Sequence, residues 1–122
     1  MRQEELQKLT EQISRDYFHR PFLHMVKINH RMRTTGGRYH LDDHHIEINA
    51  HFLEAKNQKY LVGIIKHELC HYHLHLMGLG YQHKDRDFKI LLNRVGGSCY
   101  APDIGLRRRK NINIFMSVKT AG

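Results

Sequence analysis

The chain has 122 residues, 40% of them hydrophobic and 26% charged, the balance of one globular domain that buries a core without disulfide or oligomer support. That size excludes a two-domain enzyme, and no apolar run is long enough to span a bilayer. Twenty Lys and Arg against 12 Asp and Glu give a net charge of +8, and there are 12 histidines; the first points to a polyanionic partner such as nucleic acid, the second to a metal.

Leu6, Leu9, Ile13 and Tyr17 recur at helical spacing, so residues 3–18 are expected to form an amphipathic helix ended by Pro21. From Leu23 to Met32 apolar and basic residues alternate. A strand is expected there, with Val26, Ile28, His30 and Met32 on one face and Lys27, Arg31 and Arg33 on the other. Turns at residues 34–37 and 42–43 would separate a second strand, Arg38 to Leu41, from a third, His45 to Asn49. Such short connections imply an antiparallel meander. Residues 57–77 lack any breaker but Gly63 and read as a long buried helix stopped by Gly78. Asp85 or Asp87 can cap a further helix carrying Phe88, Leu91, Leu92 and Val95 and closed by Gly96 and Gly97. Residues 1–99 are thus expected to be the domain, and residues 100–122 a basic tail that is disordered or non-native.

The long helix contains His67-Glu68-Leu69-Cys70-His71. Residues four apart share a helix face, so both imidazoles can reach one tetrahedral ion, here a single Zn2+. Glu68 projects beside that ion as the general base for an activated water, which makes amide hydrolysis the natural reaction. A catalytic zinc takes three protein ligands, and His83, beyond the glycine turn, is the favoured third. His75 is the simplest rival, but a helix rises about 6 Å over four residues, too far for three successive ligands to share an ion comfortably. Asp85 and Asp87 also compete, although an N-cap role explains one of them. His73 is expected to be exposed or hydrogen-bonded. His40, His44 and His45 cluster at the strand turn and could bind metal adventitiously, although solvated turn residues are the favoured account. Cys70 is expected to be a core thiol, and neither it nor Cys99 has the setting of a nucleophile. Lys27, Arg31, Arg33 and Arg38 form a basic stripe suited either to phosphates or to solvent.

Arg33-Thr34-Thr35-Gly36-Gly37-Arg38-Tyr39, Ile46-Glu47-Ile48-Asn49, the His67 to His71 motif and the segment from Gly80 to Phe88 together resemble the bacterial SprT-like proteins, relatives of the eukaryotic Spartan proteases. The resemblance implies an α+β, zincin-like fold with a small antiparallel sheet packed on the motif helix. It also implies zinc held by His67, His71 and His83, with Glu68 catalytic. Spartan proteases cleave proteins crosslinked to DNA, so a protein substrate, DNA contact through the basic surface and crosslink repair are the matching expectations. The alternative is a nucleic-acid-binding module with a structural zinc. A cytoplasmic location is expected, since the first residues carry no apolar stretch and the two cysteines no disulfide framework. Beyond Cys99 the chain departs from the family pattern, which continues into a four-cysteine zinc ribbon. Read one base earlier with suitable codons, residues 114–122 resemble the first half of such a ribbon, a point the coding DNA decides.

Overall fold

The computed structural model describes residues 1–99; the tail from residue 100, and every expectation placed on it, lies outside them. The first helix, α1 (Gln3–Ile13), opens with the Glu5 carboxylate accepting the Arg2 backbone N–H at 2.7 Å. It passes into a π-helical turn, Ser14–Phe18. That wider turn rotates the apolar stripe by one position, so Phe18 is buried and Tyr17, expected to face inward, is exposed.

Three short strands follow, β1 (Val26–Asn29), β2 (Gly37–Tyr39) and β3 (Ile46–Asn49). They form a mixed sheet, not the antiparallel meander that the spacing implied. The order is β1-β3-β2, with β1 parallel and β2 antiparallel to β3. Two asparagines explain the difference. The Asn29 side chain accepts the backbone N–H groups of Arg31 and Met32, turning the chain out of the sheet at residue 29. The Asn49 amide donates to the carbonyls of Arg33 and Thr35, holding the loop so that β3, not β2, lies beside β1. Arg31 and Arg33 therefore stand on an exposed loop, and the continuous basic strand face does not form.

Two 3-10 segments, Ala50–Leu53 and Ala55–Tyr60, lead into α2 (Leu61–Leu76), so the motif helix begins four residues later than its apolar pattern suggests. Its stop is as expected. Gly78 takes a φ of 74°, Gly78 N–H donates to His75 O and Leu79 N–H to Leu74 O, which closes the last turn and satisfies its carbonyls. The last helix, α3 (Arg86–Val95), ends at Gly96, also at a φ of 74°. α2 packs against the sheet on one side and α3 on the other. Tyr39, Ile46, Ile48, Ile64, Ile65 and Leu69 are sealed between the layers, and Cys70 joins them as the expected core thiol. No helix among the described residues is long and apolar enough to cross a membrane.

Candidate metal centre

The helical period of α2 sends its polar side chains to three different places. His67 and His71 share one face and meet His83, which comes from the loop between α2 and α3. His83 Nε2 lies 2.9 Å from His67 Nε2 and 3.0 Å from His71 Nε2. The remaining ring nitrogens are fixed by backbone: His67 Nδ1 bonds Ser98 O at 2.6 Å and His71 Nδ1 bonds Tyr81 O at 2.5 Å. Carbonyls only accept, so each Nδ1 carries the proton and each Nε2 turns a lone pair toward His83. One proton on His83 cannot serve both contacts, whereas a cation can. Orientation of ligand imidazoles by backbone carbonyls is also the usual support of a metal site.

Electrostatics favour the same state. Burial pushes His67 well below the usual histidine range and His71 down to about 3, and it lowers His83 as well. Each shift favours the neutral ring, the form that ligation requires. Phe88 stacks on His71 with ring centroids 4.3 Å apart and walls the cluster from the α3 side.

The Glu68 side chain lies against β2. A Cβ at Gly37 would stand 3.0 Å from Glu68 Cγ and 3.0 Å from Glu47 O, so only glycine lets strand and carboxylate approach this closely. The Glu68 side chain is fully buried, and neither carboxylate oxygen has a hydrogen-bond partner among the described residues. Burial pushes its carboxyl well above the usual range, opposed by the Arg38 guanidinium. An orphaned buried carboxylate next in sequence to a histidine cluster is an expensive arrangement that calls for a water, an ion or a substrate group.

The competing ligands are all engaged otherwise. His75 Nδ1 meets the Tyr39 hydroxyl at 2.7 Å. His73 is buried, with Nε2 2.7 Å from Ser14 Oγ, and burial pushes it down to about 4. Asp85 accepts the Gln82 backbone N–H at 3.0 Å and Asp87 that of Gly80 at 2.9 Å. Both aspartates tie down the loop that delivers His83. Asp85 occupies the N-cap position of α3, but its side chain serves the loop and makes no cap bond. Sequence reasoning missed the two carbonyl anchors, which have no side-chain signature. Their only trace is glycine: a Cβ at Gly63 would fall 2.1 Å from Ser98 Oγ, so that glycine lets the segment after α3 lie across α2.

Three neutral imidazoles whose Nε2 atoms converge, carried by one helix and the loop after it, define an α+β domain with a group of residues that could hold a metal ion, and the donor set suits Zn2+. The chain belongs to the SprT-like family, whose signature matches residues 6–114 and so runs into the tail. It is 52% identical over 109 residues to the Protein SprT-like of Enterococcus faecalis, covering 89% of this chain and 71% of that protein. With the Bacillus subtilis Protein SprT-like it shares 48% identity over 120 residues, 98% of this chain and 79% of the relative. The Bacillus cereus protein of that name is 56% identical over 95 residues, 78% of this chain but 62% of the relative. No solved structure matches the chain.

Proposed function

We propose that this chain is a zinc-dependent metallopeptidase of the zincin type. The observation that carries the reading is the convergence of the His67, His71 and His83 Nε2 atoms, with Nδ1 of His67 and His71 committed to carbonyls, on the helix that also bears the orphaned Glu68 carboxylate. His67, His71 and His83 hold one Zn2+. When bound, the ion would supply Lewis acidity toward a water and a peptide carbonyl. Glu68 is the general base: its buried carboxylate takes the proton of the attacking water and returns it to the leaving amine. Gly37 keeps Glu68 against β2, so the base is held by the sheet while the ligands are held by the helix and its following loop.

Its substrates are proteins, and DNA-associated proteins suit the exposed basic residues Lys27, Arg31 and Arg33. The domain acts in the cytoplasm. The test is hydrolysis of a protein substrate, with and without DNA, by the zinc-loaded chain, the chelated chain and Glu68→Gln. Cleavage that disappears on chelation, returns with zinc and is absent in Glu68→Gln while zinc stays bound is the expected result. Cleavage that survives Glu68→Gln overturns the mechanism. DNA binding that is unchanged in that variant, with no cleavage by any form, would favour a binding module with a structural zinc.

A further inference from the structure

A second group of ligating side chains lies on the β2–β3 hairpin, outside the site described above. His40 follows β2, His45 precedes β3, and Glu47 lies two residues beyond His45 on the same strand face. The hairpin closes through His40 N–H to His45 O at 2.9 Å and His44 N–H to His40 O at 3.0 Å, with His44 held at a φ of 63°. That closure stacks the His40 and His45 rings, centroids 4.0 Å apart and 9° from parallel. His40 Nε2 then stands 3.2 Å from Glu47 Oε1, and His45 Nε2 3.3 Å from Glu47 Oε2. All three residues are half-buried, and the two histidines are more enclosed than the solvated turn residues that the sequence favoured.

Hydrogen bonding satisfies only part of this arrangement: Glu47 Oε1 accepts from the Asn29 amide at 3.1 Å and Glu47 Oε2 meets His45 Nε2, which leaves His40. His40 Nε2 is buried, and despite its nearness to Glu47 it makes no aligned hydrogen bond among the described residues. His45 Nδ1 bonds the Asp43 carboxylate, which fixes the proton on that nitrogen. His45 Nε2 in turn faces Glu47 Oε2 at 3.3 Å, a contact that a proton or a metal cation between the two atoms makes favourable. Carboxylate, imidazole and metal in series is a common way to orient a histidine ligand. Distances agree: metal bonds of about 2.0–2.2 Å at tetrahedral angles separate neighbouring donors by roughly 3.3–3.5 Å. Charge agrees too, since Glu47 and Asp43 bring two negative charges against the one of Arg38, whose Nη1 is 4.0 Å from Glu47 Oε1.

We infer that His40, His45 and Glu47 form a second divalent-metal site, with Asp43 behind His45 as its orienting carboxylate. Two imidazoles and one carboxylate suit Zn2+ and its neighbours over Mg2+ or Ca2+. The ion clamps the two strands of the hairpin and so steadies Gly37, the residue that backs Glu68. The inference does not rest on the peptidase reading. Its test is calorimetric titration of the metal-free full chain with Zn2+, in the wild type, His45→Ala, Glu47→Gln and His71→Ala. Two ions per wild-type chain are expected. One should remain in His71→Ala, and the affinity for one ion should fall at least tenfold in His45→Ala and Glu47→Gln while the other ion is retained. The proposal is overturned if His71→Ala binds no zinc while folded, or if both hairpin variants titrate like the wild type. Should His71→Ala fail to fold, the wild type and the two hairpin variants decide the matter by themselves.

Discussion

His67 and His71 of α2 are anchored by backbone carbonyls, whereas His45 of the hairpin is anchored by a carboxylate. His67 and His71 rest on Ser98 O and Tyr81 O, and the three-ring donor set carries no charge of its own. His45 rests on Asp43, and Glu47 stands 3.3 Å from its other ring nitrogen. An ion held by three neutral imidazoles keeps its full charge for polarising a bound group, while an ion facing Glu47 is partly neutralised. The first environment suits chemistry and the second suits cross-linking. Burial makes the same division: the inner rings are desolvated and pushed toward neutrality, and the outer ones lie half-open to solvent.

The largest effect that can break this comparison is Glu68→Gln. It should lower kcat by about 10²–10⁴ with zinc still bound, as removal of a general base does; steady-state hydrolysis alongside metal analysis checks it. Next is Gly37→Ala, whose methyl would press on Glu47 O and Glu68 Cγ at 3.0 Å each. It should cost about 2 kcal/mol in urea unfolding, the scale of an overpacked core, and lower kcat by displacing the base. Ser14→Ala removes the buried partner of His73 and should cost about 1 kcal/mol, read as a lower urea midpoint, with zinc stoichiometry unchanged. Comparable in size is the effect of Asp43→Ala. Loss of the carboxylate that accepts the His45 backbone N–H and holds His45 Nδ1 should lower the metal-free urea midpoint slightly and weaken the hairpin zinc about tenfold, the effect of deleting an outer-shell partner, without touching the inner ion.

Local periodicity made the inner site legible. His67 and His71 at i and i+4, the stop at Gly78 and the helix of Phe88 and Leu92 follow from backbone spacing that a sequence states directly. His83 could be brought back beside His67 and His71 because the glycine turn fixes where the chain reverses. Strand order was not legible. Whether β1 neighbours β2 or β3 depends on Asn29 and Asn49, side chains whose partners lie in a loop that has no pattern of its own. The π-helical turn at Ser14–Phe18 likewise shifts a stripe that ideal periodicity would have carried on to Tyr17. In the hairpin, Glu47 shares a strand face with His45, but His40 reaches them only because His44 adopts a left-handed backbone that few non-glycine residues take.

The central claim, that the three inner Nε2 atoms receive one zinc ion, is tested most directly by anomalous scattering at the zinc absorption edge from crystals of the zinc-loaded chain. The expected result is a peak within about 2.1 Å of the Nε2 atoms of His67, His71 and His83. No peak among those nitrogens, in crystals where zinc is bound elsewhere, would contradict the account.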